Sequence, residues 1–406
     1  MIKRQRPSLF YNVNSRPVQF FKGEKIYVST GDSDDMENGE IVSYYNRPSR
    51  ANVQPRVNDI IFAKMQNTDK TFQIDEQMSN MIFSTGFFDI SSKIIYPRFL
   101  YYLIKSDEYS SYRNAYSEGT TQISITDSRL KKIYITYETD YKEQIKIADY
   151  LDRKTNTIDK MIEKINKQID KYQLYKQTLI TNTIKFGLDN CEKKKVEDKY
   201  INSIAKNYKI IKTKYVCSLI TDGSHESPEE ENGEYPFLST VNIENGSFNF
   251  DTALMTSKSS YMRLFLQKCN PQDGDVLISK DGTIGKTVLI DYSKDFIVAS
   301  SLVIMRPLKN VILPKYLRYN LDSQFTQICL NQLMSGSALQ RVSVWKNSNI
   351  NIVLSPLDEQ KRIILYLDKK VEKINKIINI KKQKIDELNR YKKSIVYEYV
   401  SGKKAL

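Results

Sequence analysis

Glu143 to Phe186 reads EQIKIADYLDRKTNTIDKMIEKINKQIDKYQLYKQTLITNTIKF, and Glu359 to Tyr399 reads EQKRIILYLDKKVEKINKIINIKKQKIDELNRYKKSIVYEY. In the first stretch the apolar positions run Ile147, Leu151, Ile158, Ile162, Ile165, Ile169, Tyr172, Tyr175 and Leu179. Between Ile158 and Tyr172 the steps are 4, 3, 4 and 3, a heptad seam with Lys and Asp outside it. No Pro or Gly interrupts it before Gly187, which suits a C-terminal stop. One long helix is predicted, and the second stretch repeats it 216 residues on without a gap. Glu143-Gln144 falls on Glu359-Gln360, Tyr150-Leu151-Asp152 on Tyr366-Leu367-Asp368, and Tyr175-Lys176 on Tyr391-Lys392. A chance heptad does not also reproduce EQ, YLD and YK in register. The chain therefore reads as a tandem duplication of about 200 residues per unit.

The globules before each helix repeat more loosely. Residues 1–142 carry short β-type runs at Lys25–Val28, Asp59–Phe62 and Met81–Phe83, and candidate strands at Ile123–Thr126 and Ile133–Ile135. Pro97–Lys105 reads as a helix opened by its proline. In residues 207–356, Phe237-Leu238-Ser239-Thr240 echoes Tyr27-Val28-Ser29-Thr30, Gly274–Lys280 echoes Asn58–Lys64, and Leu313–Leu317 echoes Tyr96–Leu100. Gly336-Ser337 echoes Gly119-Thr120. Residues 187–206 read as a charged linker. The expected organisation is α+β: globular domains at 1–142 and 189–356 (the latter with its linker), long helices at 143–188 and 357–406, and the two helices packed as an antiparallel coiled coil in pseudo-twofold relation.

Composition narrows the function. The net charge is +14 with 27% charged residues, which favours a polyanionic partner, nucleic acid ahead of a membrane. An AT-rich coding sequence is the competing explanation of the many lysines. No signal peptide or membrane span is expected, and four scattered cysteines suit a reducing, cytoplasmic setting. One histidine, His225, excludes a His-rich metal site.

Enzyme-like strings fail on inspection. Asp281-Gly282-Thr283-Ile284-Gly285-Lys286-Thr287 resembles the end of a P-loop, but Val288-Leu289-Ile290 after it reads as strand, where a phosphate loop needs a helix. A metal nuclease wants an acid two residues before Lys64 or Lys280, where Phe62 and Ile278 stand. The chain lacks the Asn/Asp-Pro-Pro-aromatic loop of adenine methylases, and His225 has no triad partner in a recognisable context. What remains is polar and basic loop chemistry on a rigid frame. Ser29, Thr30, Lys64, Thr120, Gln122, Ser224, His225, Thr240, Asn242, Lys280, Thr283, Lys286, Ser337, Gln340 and Arg341 are the candidate DNA-contacting residues. The lysines among them suit phosphates and the polar loop residues suit base edges.

Globule, long helix, different globule, long helix, with EQxxIxxYLD opening each helix, resembles the specificity subunit of type I restriction–modification systems. Tyr27–Asp32, Phe237–Asn242, Asp275–Lys280, Ser335-Gly336-Ser337 and Leu357–Gln360 carry the resemblance, which spans nearly the whole chain. It implies that each globule is a target-recognition domain reading half of a split, asymmetric DNA site. It implies a helical spacer that docks two modification subunits, with Glu143, Gln144, Tyr150, Leu151, Glu359, Gln360, Tyr366 and Leu367 as candidate docking residues. It also implies that S-adenosylmethionine, ATP and Mg belong to modification and restriction subunits, and that this chain holds no metal or cofactor and catalyses neither reaction. A helix of about 43 residues spans roughly 65 Å, enough to set half-sites a helical turn or so apart. The alternatives are a stand-alone coiled-coil DNA-binding or scaffolding protein, and a cryptic nuclease.

Overall fold

A computed structural model describes the chain except residues 1, 32–38, 69, 120–122, 190, 228–232, 245, 292–293 and 335–339. The α-helices among the described residues are α1 (Pro97–Lys105), α2 (Asp107–Ala115), α3 (Asp127–Leu130), α4 (Tyr141–Phe186), α5 (Lys258–Leu266), α6 (Pro314–Asp322), α7 (Gln324–Leu333), α8 (Val344–Ser348) and α9 (Leu357–Val400). The chain folds as two units. Unit 1 is Met1–Asn166 with Lys382–Leu406, and unit 2 is Lys167–Lys381. Each unit therefore contains half of each long helix.

In unit 1 the run Ile60–Ala63 is buried on both faces and forms a central strand. It pairs antiparallel with Phe87–Ser92 and Thr71–Gln73, and Tyr11–Asn14 completes the sheet beside Phe87–Ser92. A second sheet has the order Glu40–Ser43, Glu24–Val28, Ile82–Ser84, Ala51–Val53, in which Glu24–Val28 runs parallel to Ile82–Ser84. One face of the first sheet packs on α1 and α4. Phe62, Ile90, Phe99, Leu103, Ile147 and Leu151 share this core. Ser106 joins α1 to α2: its hydroxyl donates to Leu103 O and accepts from the Tyr109 N–H.

Unit 2 repeats the plan. Val276–Ser279 is its central strand, flanked by Leu302–Pro307 and Thr287–Leu289, with Cys217–Asp222 outside Leu302–Pro307. Tyr235–Leu238 runs parallel to Ile297–Val298, as Glu24–Val28 does to Ile82–Ser84. The turn before each central strand is held alike: Asp59 Oδ2 accepts from the Arg56 N–H at 2.7 Å, and Asp275 Oδ2 from the Gln272 N–H at 2.8 Å. Each aspartate then takes an arginine, Arg16 in one unit and Arg306 in the other.

Within each unit the long helices run antiparallel. In unit 1 the Tyr150 and Tyr399 rings lie 4.7 Å apart and Lys392 Nζ meets Asp159 Oδ2 at 2.6 Å. In unit 2 Lys381 reaches Gln168 at 2.6 Å and Lys176 reaches Asn375 at 3.1 Å. The seam of α4 departs from the expected one at its C-terminal end. Tyr175 is exposed, while Ile180 and Ile184 are buried. The heptad gives way to four-residue steps through Lys176, whose ammonium hydrogen-bonds across the pair.

Two further expectations are corrected. Ile123–Thr126 forms no strand; Ser124 makes only isolated bridges to Met65 and Glu118. The expected linker at 187–206 contains a hairpin, Lys193–Lys195 against Ser203–Ala205, with Ile201, Ile204 and Ala205 in the unit 2 core. The lysines of its outer strand hid the pairing, because an edge strand tolerates charge.

Candidate nucleic-acid interface

The EQ and YLD residues face inward. Gln144 and Gln360 are buried. Gln144 Oε1 accepts from the Tyr96 N–H at 2.8 Å, and Gln360 Oε1 from the Leu313 N–H at 2.8 Å. Tyr96 and Leu313 are the N-cap residues of α1 and α6, and neither supplies a side-chain cap. The glutamine thus serves an otherwise orphaned helix start. Its amide also donates, to Glu138 O in unit 1 and to Val311 O and Ser355 O in unit 2. Leu151 and Leu367 lie in the two cores. Asp152 accepts from Tyr102 Oη and pairs with Arg98; Asp368 accepts from Tyr319 Oη and pairs with Lys315. The Tyr150 ring packs at a tilt against Tyr399, and Tyr366 packs against the unit 2 core. Glu359 accepts from Tyr208 and Arg362, and Glu143 pairs with Lys146. The motif locks each helix to its own globule, so Gln144, Leu151, Gln360 and Leu367 present no surface to a partner. In this chain all four are buried with their polar groups satisfied inside the globule. The signal was in the sequence: Arg98 and Tyr102 recur as Lys315 and Tyr319 at one shared offset.

The candidate DNA residues gather where the central strands end. In unit 2 four loops converge on Ala299–Leu302. The Ser300 N–H donates to Ser224 O, the Thr240 N–H to Ser301 Oγ, and the Lys280 N–H to Ser301 O. The Val342 N–H closes the set on Lys280 O at 3.0 Å. In unit 1 the same positions meet Thr85 and Gly86: the Lys64 N–H donates to Gly86 O at 2.9 Å, and the Ile125 N–H to Lys64 O at 3.0 Å. Thr30 lies beside Gly86, and Ser29 Oγ accepts from the Gly31 N–H. Thr120, Gln122 and Ser337 lie outside the described residues, as do Asp32 and the whole Ser335-Gly336-Ser337 turn.

The equivalent lysines differ in their surroundings. Lys64 Nζ donates to Thr85 O at 2.8 Å, lies 4.8 Å from the Phe88 ring centre, and lines a groove of about 700 Å³ with Asn12, Asn14, Arg16, Asn52 and Lys93. Burial holds its ammonium below the usual lysine range. In the groove wall Arg16 sits between Asp59 and Asp89, and Asn14 donates to Asp89 at 3.1 Å. Burial, then the Asp59 carboxylate, pushes Asp89 up to about 6.

Lys280 is only 7% exposed. Its ammonium lies 3.4 Å from Asp281 Oδ2 and 3.5 Å from Asp222 Oδ2. A lysine buried between two carboxylates is not a mobile cation, so Lys280 does not offer the free ammonium expected of it, whereas Lys64 faces an open groove. Met65 stands at the position of Asp281, which removes one of the two carboxylates that enclose Lys280. Asn242 is buried and its amide bonds Ser239 and Thr252, which makes it framework. Ser224 and Thr240 are also buried. His225, Thr283, Gln340 and Arg341 are exposed, and Lys286 reaches Ile243 O at 3.5 Å. Gly282 and Gly285 take positive φ in the loop that resembled a P-loop, and the strand Thr287–Leu289 follows it. No helix N-terminus is there to hold a phosphate.

The sequence profile described as "Type I restriction modification DNA specificity domain" matches residues 18–171 and 205–390. The chain belongs to this family. The two matched specificity domains coincide with the two repeats. A type I restriction enzyme specificity subunit of Haemophilus influenzae is 34% identical over 99 residues, 24% of either chain. The MjaX specificity subunit of Methanocaldococcus jannaschii is 23% identical over 76% of this chain and 68% of its own length. A solved chain from a study of complex assembly and conformational transition in a type I restriction–modification system superposes with a TM-score of 0.68 at 18% identity, covering 98% of this chain and 97% of that one. It shares the fold of tandem mixed domains with paired long helices.

Proposed function

We propose that the chain is the DNA-reading subunit of a type I restriction–modification complex, with each specificity domain reading one half of a split, asymmetric site. The observation that carries this is a pair of units with one strand plan and different loops: Lys64 opens on a groove lined by four cations (Arg16, Lys64, Lys93, Lys131) and two carboxylates (Asp89, Asp127), where Lys280 is enclosed by acids. Shared frames with divergent loops make two readers with two targets. The net charge of +14 supplies sequence-independent attraction to DNA.

Adenine methylation with S-adenosylmethionine, and cleavage with ATP and Mg, are assigned to modification and restriction subunits, and this chain performs neither. Among the described residues no cluster of potential ligands suits a metal ion, and no helix is long and apolar enough to cross a membrane. The modification subunits dock on the outer faces of α4 and α9. The inward EQ and YLD residues leave that role to exposed apolar side chains: Leu174, Leu365, Ile377 and Ile380 in unit 2, and Met161 in unit 1.

The test is co-expression with an adenine-methyltransferase modification subunit and mapping of methylated adenines by single-molecule sequencing. Two short defined blocks around an unspecified gap are expected. Methylation without a split motif, or independent of this chain, moves the scaffold reading ahead.

A further inference from the structure

The turn Ser239–Asn242 of unit 2 is fastened on both sides of its middle residue. Asn242 Oδ1 accepts from the Ser239 N–H at 2.8 Å while the Ser239 hydroxyl accepts from the Asn242 N–H, a reciprocal capping box. Asn242 Nδ2 then donates to Thr252 O at 2.9 Å. The Thr240 N–H donates to Ser301 Oγ at 3.3 Å, and the Thr240 hydroxyl to Ser301 O at 3.4 Å. Thr240 and Asn242 are 8% and 3% exposed, and Val241 between them is 83% exposed. A single apolar side chain on a surface is ordinary. What sets Val241 apart is its frame: both neighbours are bonded inward, so the turn holds the valine out. It stands on one of the four loops that converge on Ala299–Leu302.

We infer that Val241 reads the C5 methyl group of a thymine in the half-site recognised by unit 2; the inference rests on the DNA-reading function proposed above. Thymine is the one base with a methyl group on its major-groove edge, and an apolar side chain is its complement. Contact takes both out of water. Over the other bases the same valine penalises binding. It would cover the amino group of cytosine or adenine, or the two acceptors of guanine, and offer no hydrogen bond in return. A valine has no donor, so a phosphate contact is not open to it. Its branched Cβ leaves few rotamers to lose on contact. Lys286, whose ammonium reaches Ile243 O at 3.5 Å just past the turn, puts a cation beside it for the neighbouring DNA backbone. Val241 determines specificity, and Ser239, Thr240 and Asn242 are positioning residues. In unit 1 the same position is Gly31, which has no side chain to read with.

The test uses the chain assembled with its modification subunits, as wild type, V241A and V241I. Methylation mapping gives the split motif. Each thymine of both blocks, on either strand, is then replaced in turn by deoxyuridine, which lacks only the C5 methyl group, and duplex affinity is measured at one salt concentration. In the wild type the replacement should weaken binding roughly fourfold at a thymine that Val241 touches, the worth of one buried methyl group. V241A should erase that loss at this thymine, and V241I should keep it. Thymines of the other block should respond alike in all three proteins, which makes that block the control for folding and assembly. The inference is overturned if no thymine loses its methyl effect in V241A, or if V241A weakens binding equally at every sequence. It is also overturned if V241A loses its modification subunits while the thymine effects persist, which would make Val241 a protein contact. Absence of any split motif in the wild type is a separate outcome, and sinks the DNA-reading function itself.

Discussion

Replacing Gln144 or Gln360 with alanine leaves a helix-start N–H and one or two carbonyls without their partner inside a core. Each substitution should destabilise its own unit by about 1–3 kcal/mol, the cost of unsatisfied buried polar groups, read by chemical denaturation. Binding of modification subunits to the folded variant should be unchanged, which separates a lock from a docking residue. Lys64 and Lys280 should also part company. Lys64→Ala should weaken DNA binding at every sequence and lower the slope of log affinity against log salt by about 1. Lys280→Ala strands Asp222 and Asp281 without their cation, so its effect should be on folding, with the salt slope kept. Equal slopes for wild type and Lys64→Ala would remove Lys64 from the phosphate contacts. Asp89 gives a pH signature. With its pKa raised to about 6, the folded chain keeps a proton that the unfolded chain releases from about pH 4 upward. The group therefore costs stability, at most about 3 kcal/mol, above about pH 6, and the cost fades as pH falls toward 4. Asp89→Asn should remove this dependence, seen as a stability difference between variant and wild type that shrinks from pH 7 to pH 4.5.

At the scale of elements, the long helices were legible because a strict repeat of EQ, YLD and YK doubles the periodic signal. Tyr141–Phe186 starts two residues before the expected 143–188 and ends two before it, and Leu357–Val400 starts with the expected 357–406 and ends six residues before it. What periodicity did not tell was which neighbour the motif faces. A polar residue repeated in both helices reads equally as a docking contact or an internal lock, and the distances to Tyr96 and Leu313 show Gln144 and Gln360 bonded inside their own units. The hairpin at 193–205 was missed for a related reason, since lysines on an edge strand look like a solvated linker. The enclosed Lys280 was unreadable because Asp222 is 58 residues from it in sequence and meets it only through the sheet. Leu151→Ala and Leu367→Ala should each cost about 2.7–5 kcal/mol, as large core truncations do, measured by urea melts. Leu365→Glu with Ile380→Glu should leave those melts unchanged and abolish co-purification of the modification subunit. Retained co-purification would place docking elsewhere.

For the molecule as a whole, exchanging residues 1–142 for those of a relative with another target should change one block of the methylation motif and leave the other. The exchange carries a constraint, because Arg98 and Tyr102 must still find Asp152, and Tyr96 must still find Gln144. The interleaving of the chain has another consequence, for the order in which the protein is made. Unit 1 is closed by Ile395, Val396, Tyr399 and Val400, which enter its core beside Ile147 and Leu151. Lys382 leaves the ribosome 216 residues after Asn166. At ~5–20 residues per second that is a wait of roughly 10–40 s. During it the amino-terminal half is complete in sequence but open along one helix face, while unit 2 has all its parts first. The domain synthesised first is thus the one that finishes last. A premature stop near the carboxyl end strikes the amino-terminal reader.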